Sequence, residues 1–164
     1  MTKVILALPG RTFSGKFMLN LLETFITLRS HKYEVVITNE YSSYVTFSRM
    51  KTLGLDVLKG VDQKPFGGEL DYDVWVTIDS DIIYTQSQIL ELIEDTDKYP
   101  VVSGIYRMED MKHYAMVKEW DLEHFKNNGS FQFATVEDMK DEPKHLPVAY
   151  NGMGFFACRK GVIE

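Results

Sequence analysis

Two aspartates separated by one residue, Asp79 and Asp81, follow the uncharged run VWVTI at 74–78. Alternate side chains of an extended segment point the same way, so both carboxylates can approach one hard divalent cation. Carboxylates at the rim of an apolar core also need partners, because an unpaired charge is costly to bury. The spacing is therefore compatible with a metal site, although the motif by itself proves little. The alternative is that the two aspartates cap the next helix or bind backbone amides.

The same spacing occurs twice more, at Asp71 and Asp73 and at Asp95 and Asp97. Short motifs of this kind often arise by chance. Only the pair at 79 and 81 follows an apolar strand, and ligand sites of open α/β sheets lie at the carboxyl ends of strands. It is the position of this pair that favours a functional site.

The loop PGRTFSGKF at 9–17 nearly fits a P-loop through Gly10, Gly15 and Lys16. A P-loop needs a hydroxyl directly after its lysine to hold Mg²⁺, and this chain has Phe17 there. We therefore do not expect the loop to wrap phosphates, and Lys16 is expected to be solvated or to cap a helix.

The chain has 164 residues, 45% of them hydrophobic, and a formal net charge of -6. One core and a single domain are expected from this length. The acidic residues leave no basic stripe, so we expect no nucleic-acid partner. Cys158 has no second cysteine to pair with, which favours a reducing, cytoplasmic setting. No apolar run approaches the roughly 20 residues of a membrane-spanning helix, so we expect no transmembrane segment.

Short apolar runs alternate with stretches of helical period, a pattern typical of α/β proteins with a mostly parallel sheet. Strands are predicted at 3–8, 33–39, 74–78 and 101–105, and helices at 17–30, 45–53 and 86–95. The first helix is predicted to be capped by Ser14 and the third to bury Ile89, Leu92 and Ile93. The inward face predicted for the first helix consists of Phe17, Leu21, Leu22, Phe25 and Leu28.

The second half of the chain is less regular. Segments 114–120 and 132–136 are predicted to run antiparallel, separated by a turn at Asn127–Gly129. Residues 151–154 are predicted to form a flexible loop before the apolar run 155–158, and residues 159–164 to begin a helix.

Five segments together resemble the GT-A-fold nucleotide-sugar glycosyltransferases, particularly small virus- and phage-encoded members. In chain order they are YSSYVTFSRMK, KPFGGELDYD, IDSD, VVSGIY and NGMGFFACRKGVIE. The resemblance implies a Rossmann-like, mostly parallel sheet with helices on both faces and a smaller antiparallel part. It also implies one domain over 1–164, with a nucleotide-binding half at 1–107 and an acceptor-side half at 108–164.

The resemblance implies a metal-dependent transfer of a hexose from a UDP-sugar or GDP-sugar donor to a glycan or another hydroxyl acceptor. Mn²⁺ or Mg²⁺ would be held directly by Asp81, while Asp79 would contact the ribose or the metal. If the protein is virus-encoded, its setting would be the host cytoplasm. The nucleotide would lie along Pro9, Gly10, Arg11, Tyr41, Arg49, Asp79 and Ser80. The sugar and acceptor would lie along Tyr106, Arg107, Asn151, Gly152 and Met153.

Several alternatives remain open for these residues. Arg49 either approaches the diphosphate or pairs with a surface carboxylate, and Tyr41 either stacks on the base or packs at the rim. His113, His124 and His145 are interpreted as surface histidines. The acidic run that includes Glu137 either contains a catalytic base or is a solvated loop.

The general base is not identified by the resemblance. In many inverting relatives it lies beyond the segment that corresponds to FFACRKGVIE, where this chain stops. Either the chain is a truncated domain that binds the donor without efficient transfer, or the mechanism is retaining and relies on the metal and the leaving phosphate.

Two other classes compete with the transferase. A non-catalytic nucleotide-sugar-binding module would use the same binding residues. An aspartate-nucleophile phosphohydrolase has a D-x-D-x-[TV] signature, but this signature normally follows the first strand, and Ile83 replaces its last residue here. We therefore rank the phosphohydrolase behind the other two.

Overall fold

The computed structural model describes residues 1–163, which form two compact units. The first unit comprises residues 1–104 and 153–163, and the second comprises Ile105–Gly152. The expected division lies between residues 107 and 108, whereas the chain from Met153 onward returns to the first unit. It returns because its last strand pairs within the main sheet.

The first unit is α/β and contains one mixed sheet of five strands. These are β1 (Lys3–Pro9), β2 (Glu34–Glu40), β3 (Val74–Ile78), β4 (Val101–Ser103) and β7 (Phe155–Arg159), and their order in the sheet is β2-β1-β3-β7-β4. Its helices are α1 (Gly15–Ser30), α2 (Val45–Thr52) and α3 (Gln86–Glu94). Short 3-10 turns cover Val57–Lys59, Pro65–Gly68 and Asp95–Asp97.

Strands β1, β2 and β3 are parallel, as the apolar runs predict. Leu6 on the middle strand lies opposite Ile37 on one side and Val76 on the other. Every residue of β3 is buried, which explains its uncharged sequence. The carboxyl ends of the three strands consequently meet at one edge of the sheet.

Strand β7 runs antiparallel between β3 and β4. The prediction of a helix beginning at Arg159 is wrong for the described residues, because Arg159 is the last residue of this strand and 160–163 contain no helix. Glu164 lies outside the described residues. Strand formation is favoured here because Phe155–Arg159 can pair with strands on both of its sides.

Helices and aromatic side chains pack on both faces of the sheet. Phe155 stacks on Tyr84 with ring centroids 5.2 Å apart, and its neighbour Phe156 points to the opposite face, where it meets Trp75 edge-on at 6.1 Å. On the Tyr84 side, Thr24 of α1 donates to the Tyr84 hydroxyl at 3.1 Å. On the Trp75 side, Leu53 directly after α2 joins the core.

The cap predicted for α1 and the buried face predicted for α3 are confirmed, whereas the inward face predicted for α1 is wrong in part. Ser14 caps α1 by accepting from the Phe17 amide at 3.0 Å, and α3 buries Ile89, Leu92 and Ile93 as predicted. The prediction that Leu22 and Phe25 point inward is wrong, because Leu22 is 57% and Phe25 is 38% exposed.

The second unit contains β5 (Met116–Val117), which pairs antiparallel with β6 (Tyr150–Asn151), and α4 (Leu122–Asn128). A 3-10 turn covers Glu137–Met139. Segments 112–116 and 134–136 do lie alongside each other, since Tyr114 donates to Ala134 O at 2.9 Å and Ala134 donates to Met116 O at 2.9 Å. The turn predicted between them is wrong, because Asn127 and Asn128 end α4 and Gly129 caps it at φ 66°. The prediction of a loop over 151–154 is wrong at Asn151, which belongs to β6.

Within residues 1–163 no helix combines the length and the apolar character that crossing a membrane would require.

Candidate functional site

The candidate site lies at the carboxyl edge of the parallel strands. Here β1 ends at Pro9, β2 at Glu40 and β3 at Ile78, and the loops that follow contain most of the residues predicted to bind a nucleotide. Strand β7 enters opposite Ile78, so Met153 lies at the same edge, where it packs against the core. The fold therefore gathers residues that are far apart in sequence.

Arg49 and Asp79 form the central contact of this edge. Nη2 of Arg49 donates to both carboxylate oxygens of Asp79, at 2.9 and 2.8 Å. The two side chains are 14% and 27% exposed, so the pair is mostly shielded from solvent. Of the two alternatives for Arg49, the structure has the ion pair. Its carboxylate is a half-buried one at the end of β3 and not a surface group.

Burial raises the pKa of the Asp79 carboxyl above its usual value of 3.8, and it outweighs the opposing effect of Arg49. The neighbouring charge of Asp81 adds to the rise. An ion pair and a raised pKa agree physically, because desolvation penalises the carboxylate more than a single arginine nitrogen compensates. Burial thus destabilises the charged form of Asp79, and a cation nearby would stabilise it.

Asp81 has a different environment, because it is exposed and lies in the turn after β3. Neither aspartate caps the next helix. Thr85 does so instead, accepting from the Gln88 amide at 3.3 Å, while the Gln88 side chain accepts from the Thr85 amide at 2.8 Å. The alternative of a helix-capping role is therefore wrong for both aspartates.

The loop after β1 lies against the loop after β3. A Cβ atom added to Gly10 would lie 3.4 Å from Cβ of Ser80 and 3.3 Å from the ring of Phe13. The glycine thus allows the backbone of one loop to approach the side chain of the other closely.

Asn39 fixes this loop, a role that the sequence analysis missed. Its Nδ2 donates to Leu8 O at 2.7 Å and to Gly10 O at 2.9 Å. The Gly10 amide in turn donates to Glu40 O at 3.0 Å. The signal in the sequence is the asparagine near the end of β2, since asparagine side chains often hydrogen-bond to backbone groups.

Arg11, in the loop after β1, contacts Tyr41, in the loop after β2. The guanidinium carbon of Arg11 lies 5.9 Å from the centroid of the Tyr41 ring, within range of a weak cation–π contact. Tyr41 is 51% exposed, so one face of its ring remains open to solvent.

The residues predicted for the sugar and acceptor fall in both units. Met153 belongs to the first unit, whereas Tyr106, Arg107, Asn151 and Gly152 belong to the second. Gly152 lies directly beneath the Tyr106 hydroxyl, where a side chain would collide with it. Arg107 pairs with Tyr114 through an antiparallel bridge.

The second unit also contains an aspartate–histidine pair that the sequence analysis did not identify. Nδ1 of His113 and Oδ2 of Asp110 are 2.6 Å apart, and Oδ1 of Asp110 accepts from the amides of Lys112 and His113 at 2.9 and 3.0 Å. These three contacts hold the pKa of Asp110 down at about 2. The signal was available, since an aspartate three residues before a histidine can turn back onto it.

No group of three or more histidine, cysteine or acidic side chains in residues 1–163 is arranged to hold a metal ion. Mg²⁺ is usually held by one or two carboxylates together with substrate phosphates, and Asp81 offers an exposed carboxylate beside Asp79.

No protein-family model matches the chain, and a search of curated proteins finds no similar sequence.

Proposed function

We propose that the protein is a metal-dependent glycosyltransferase that binds a UDP-sugar or GDP-sugar at the carboxyl edge of its sheet. The observation that supports this most is the position of Asp79-Ser80-Asp81, directly after the buried central strand and in contact with Arg49. Acidic and basic side chains are thus combined where open α/β sheets bind nucleotides.

In the proposed complex the chain binds the diphosphate through one arginine and one or two carboxylates. Arg49 suits the phosphate oxygens, and its buried Nε has no hydrogen-bond partner among residues 1–163. Asp81 would hold the Mn²⁺ or Mg²⁺, with Asp79 beside it. The cation would stabilise the charge that develops on the departing nucleoside diphosphate.

The remaining residues of the edge suit the nucleoside. The loop from Pro9 to Arg11 is fixed by Asn39 and lies against Ser80. Tyr41 has an open ring face that could stack on a base. In this proposal the GT-A fold is the finer description of the observed mixed α/β sheet.

A thermal-shift assay with UDP, GDP and ADP, each with Mn²⁺ and with EDTA, tests donor binding. A ligand that binds only the native state raises the thermal midpoint. We expect UDP or GDP to raise it only when the metal is present. The absence of any metal-dependent shift for all three nucleotides would remove the proposal.

Turnover distinguishes the enzyme from a non-catalytic module that binds the same donor. The assay is release of free nucleoside diphosphate from UDP- or GDP-hexoses, with and without a panel of oligosaccharide acceptors. A metal-dependent shift combined with no release in any mixture would reassign the protein as a binding module.

A further inference from the structure

Helix α1 has a second apolar face that no part of residues 1–163 covers. Its buried side consists of Phe17, Leu21, Thr24 and Leu28. The outward side next to it, which we name the outer stripe, carries five large apolar side chains with exposed fractions of 41, 66, 57, 38 and 67%. They are, in the same order, Met18, Leu19, Leu22, Phe25 and Ile26.

The outer stripe is continuous. At about 100° per residue its five members span an arc of about 120°, from Phe25 on one side to Leu19 on the other. Gly15 and Arg29 lie within the same arc, toward the two ends of the helix. Polar residues such as Lys16 and Glu23 lie beside this arc and not within it. A helix that is apolar on both sides is normally covered on both sides, so the outer stripe has the character of an interface.

The order of residues in the outer stripe is symmetric about Leu22. Met18 and Ile26 lie four positions to either side of it, and Leu19 and Phe25 lie three positions to either side. Two identical helices related by a two-fold axis through Leu22 would pack antiparallel. Met18 would then lie opposite Ile26 of the second copy, and Leu19 opposite Phe25. A self-complementary surface of this kind is what a symmetric dimer requires.

The area is sufficient for a reversible dimer. The five side chains together expose roughly 500 Å², so pairing two copies would bury roughly 1,000 Å², near the lower limit of a specific interface. Exposed apolar patches of this size on soluble proteins commonly serve in binding.

We propose that the protein forms a symmetric dimer in which the outer stripes of two α1 helices pack antiparallel, centred on Leu22. This inference is independent of glycosyl transfer.

Dimerisation would also restrict the motion of two loops of the candidate site. Helix α1 starts directly after the loop at 9–14, and Asn20 on its inner side donates to Tyr84 O at 3.0 Å, in the segment that follows Asp81. A helix fixed by a second copy would hold both loops more firmly.

Sedimentation velocity over a wide range of protein concentration tests the dimer. We expect the unmodified chain to associate reversibly and Leu22→Asp to remain monomeric. The substitution should weaken association at least about 100-fold, since both copies lose a buried leucine and gain a buried charge. The matched control is Leu58→Asp, because Leu58 is 89% exposed and lies outside the outer stripe. This control should associate like the unmodified chain.

A chain that stays monomeric at every concentration, or a dimer that survives Leu22→Asp, would overturn the proposal. Far-UV circular dichroism shows whether Leu22→Asp remains folded.

Cysteine cross-linking provides a test that does not depend on that variant. Leu22→Cys should form a disulfide-linked dimer under mild oxidation, while Leu58→Cys should not. The native Cys158 does not interfere, being 1% exposed.

Orientation follows from mixing two further variants. Leu19→Cys and Phe25→Cys should cross-link to each other faster than either does to itself. Faster self-linking of Leu19→Cys would indicate parallel helices and overturn the antiparallel arrangement. A rate for Leu22→Cys no higher than that for Leu58→Cys would overturn the dimer itself.

Discussion

One nitrogen of Arg49, Nη2, contacts both carboxylate oxygens of Asp79, while the buried Nε of the same guanidinium has no hydrogen-bond partner in the described part of the chain. An arginine that grips a carboxylate as a fork uses two nitrogens. The pair therefore links α2 to the end of β3 without using the full donor capacity of Arg49.

Removal of Arg49 should destabilise the protein, because Asp79 would be left half-buried without a partner. For Arg49→Ala we expect a loss of about 2 kcal/mol in the free energy of unfolding by urea. The double variant with Asp79→Ala should lose less than the sum of the two single losses, by about 1 kcal/mol. Arg29→Ala is the matched control, since Arg29 is exposed and should change stability by less than about 0.5 kcal/mol. Strictly additive losses would show that the two side chains are not coupled.

Asp81→Ala should separate binding from folding. Asp81 is exposed and caps no helix, so the thermal midpoint of the protein without ligand should stay nearly unchanged. The metal-dependent rise in midpoint with UDP or GDP should disappear, because a carboxylate ligand of the cation is lost. Asp62→Ala, another exposed aspartate, should keep that rise. A large loss of stability without ligand would instead assign Asp81 a structural role.

The central part of this site is readable from sequence because local rules and the fold agree there. An uncharged run ended by carboxylates gives a buried strand with its polar end at the sheet edge, and Ser14 predicts the start of α1. The partner of Asp79 was less accessible. Arg49 lies 30 positions away, and only the packing of α2 against the sheet decides which carboxylate it reaches.

The errors have equally specific causes. Leu22 and Phe25 fit the helical period of the buried face but lie on the outer stripe, because α1 is apolar around most of its circumference. The hairpin turn expected at Asn127–Gly129 has the right residues for a turn. The same residues also serve as the last turn and the cap of a helix, and Asp121 starts that helix by accepting from the His124 amide at 2.8 Å.

The pKa of Asp110 gives a test of the second unit. Its folded-state value of about 2 lies below the usual 3.8. A lowered pKa means that ionised Asp110 contributes stability above about pH 4, and that this contribution is lost as the pH falls through about 2. The side-chain contact with His113 is the largest cause. In His113→Ala the pKa of Asp110 should therefore rise toward 3.8 and still remain below it, since the backbone amide of Lys112 still donates to the carboxylate. Carboxyl carbon NMR of the unmodified protein and of the variant measures this pKa in each. Equal values would show that His113 does not lower the pKa of Asp110.

The thiol of Cys158 should be inert in the folded protein. It is 1% exposed, and burial raises its pKa to about 12, so almost no thiolate exists at neutral pH. A thiol reagent such as dithionitrobenzoate should react with the unfolded chain quickly and with the native chain only as fast as it opens. Rapid native labelling would mean that β7 is more accessible than its pairing with β3 and β4 indicates.

Gly104→Ala should destabilise the protein although it adds only one methyl group. The glycine amide donates to Phe155 O at 2.9 Å, which holds the two backbones together. An added methyl group would press into the Phe155 ring, with Cε1 3.0 Å away. The same ring stacks on Tyr84 at 5.2 Å, which restricts its movement away from the methyl group. We expect a loss of about 1 to 3 kcal/mol, the usual cost of overfilling a packed core.

Two comparisons identify the cause of that loss. Gly15→Ala at the start of α1 is the matched control. Apart from its chain neighbours and the backbone of its own helix, nothing in residues 1–163 lies within 4 Å of the new methyl group, so the helix should keep or slightly gain stability. Phe155→Leu removes the aromatic edge, so combining it with Gly104→Ala should cost less than the sum of the two single losses. Close packing of Gly104, directly after β4, on Phe155 of β7 leaves no space for a methyl group. A Gly104→Ala variant as stable as the unmodified chain would therefore show that the two residues do not pack so closely.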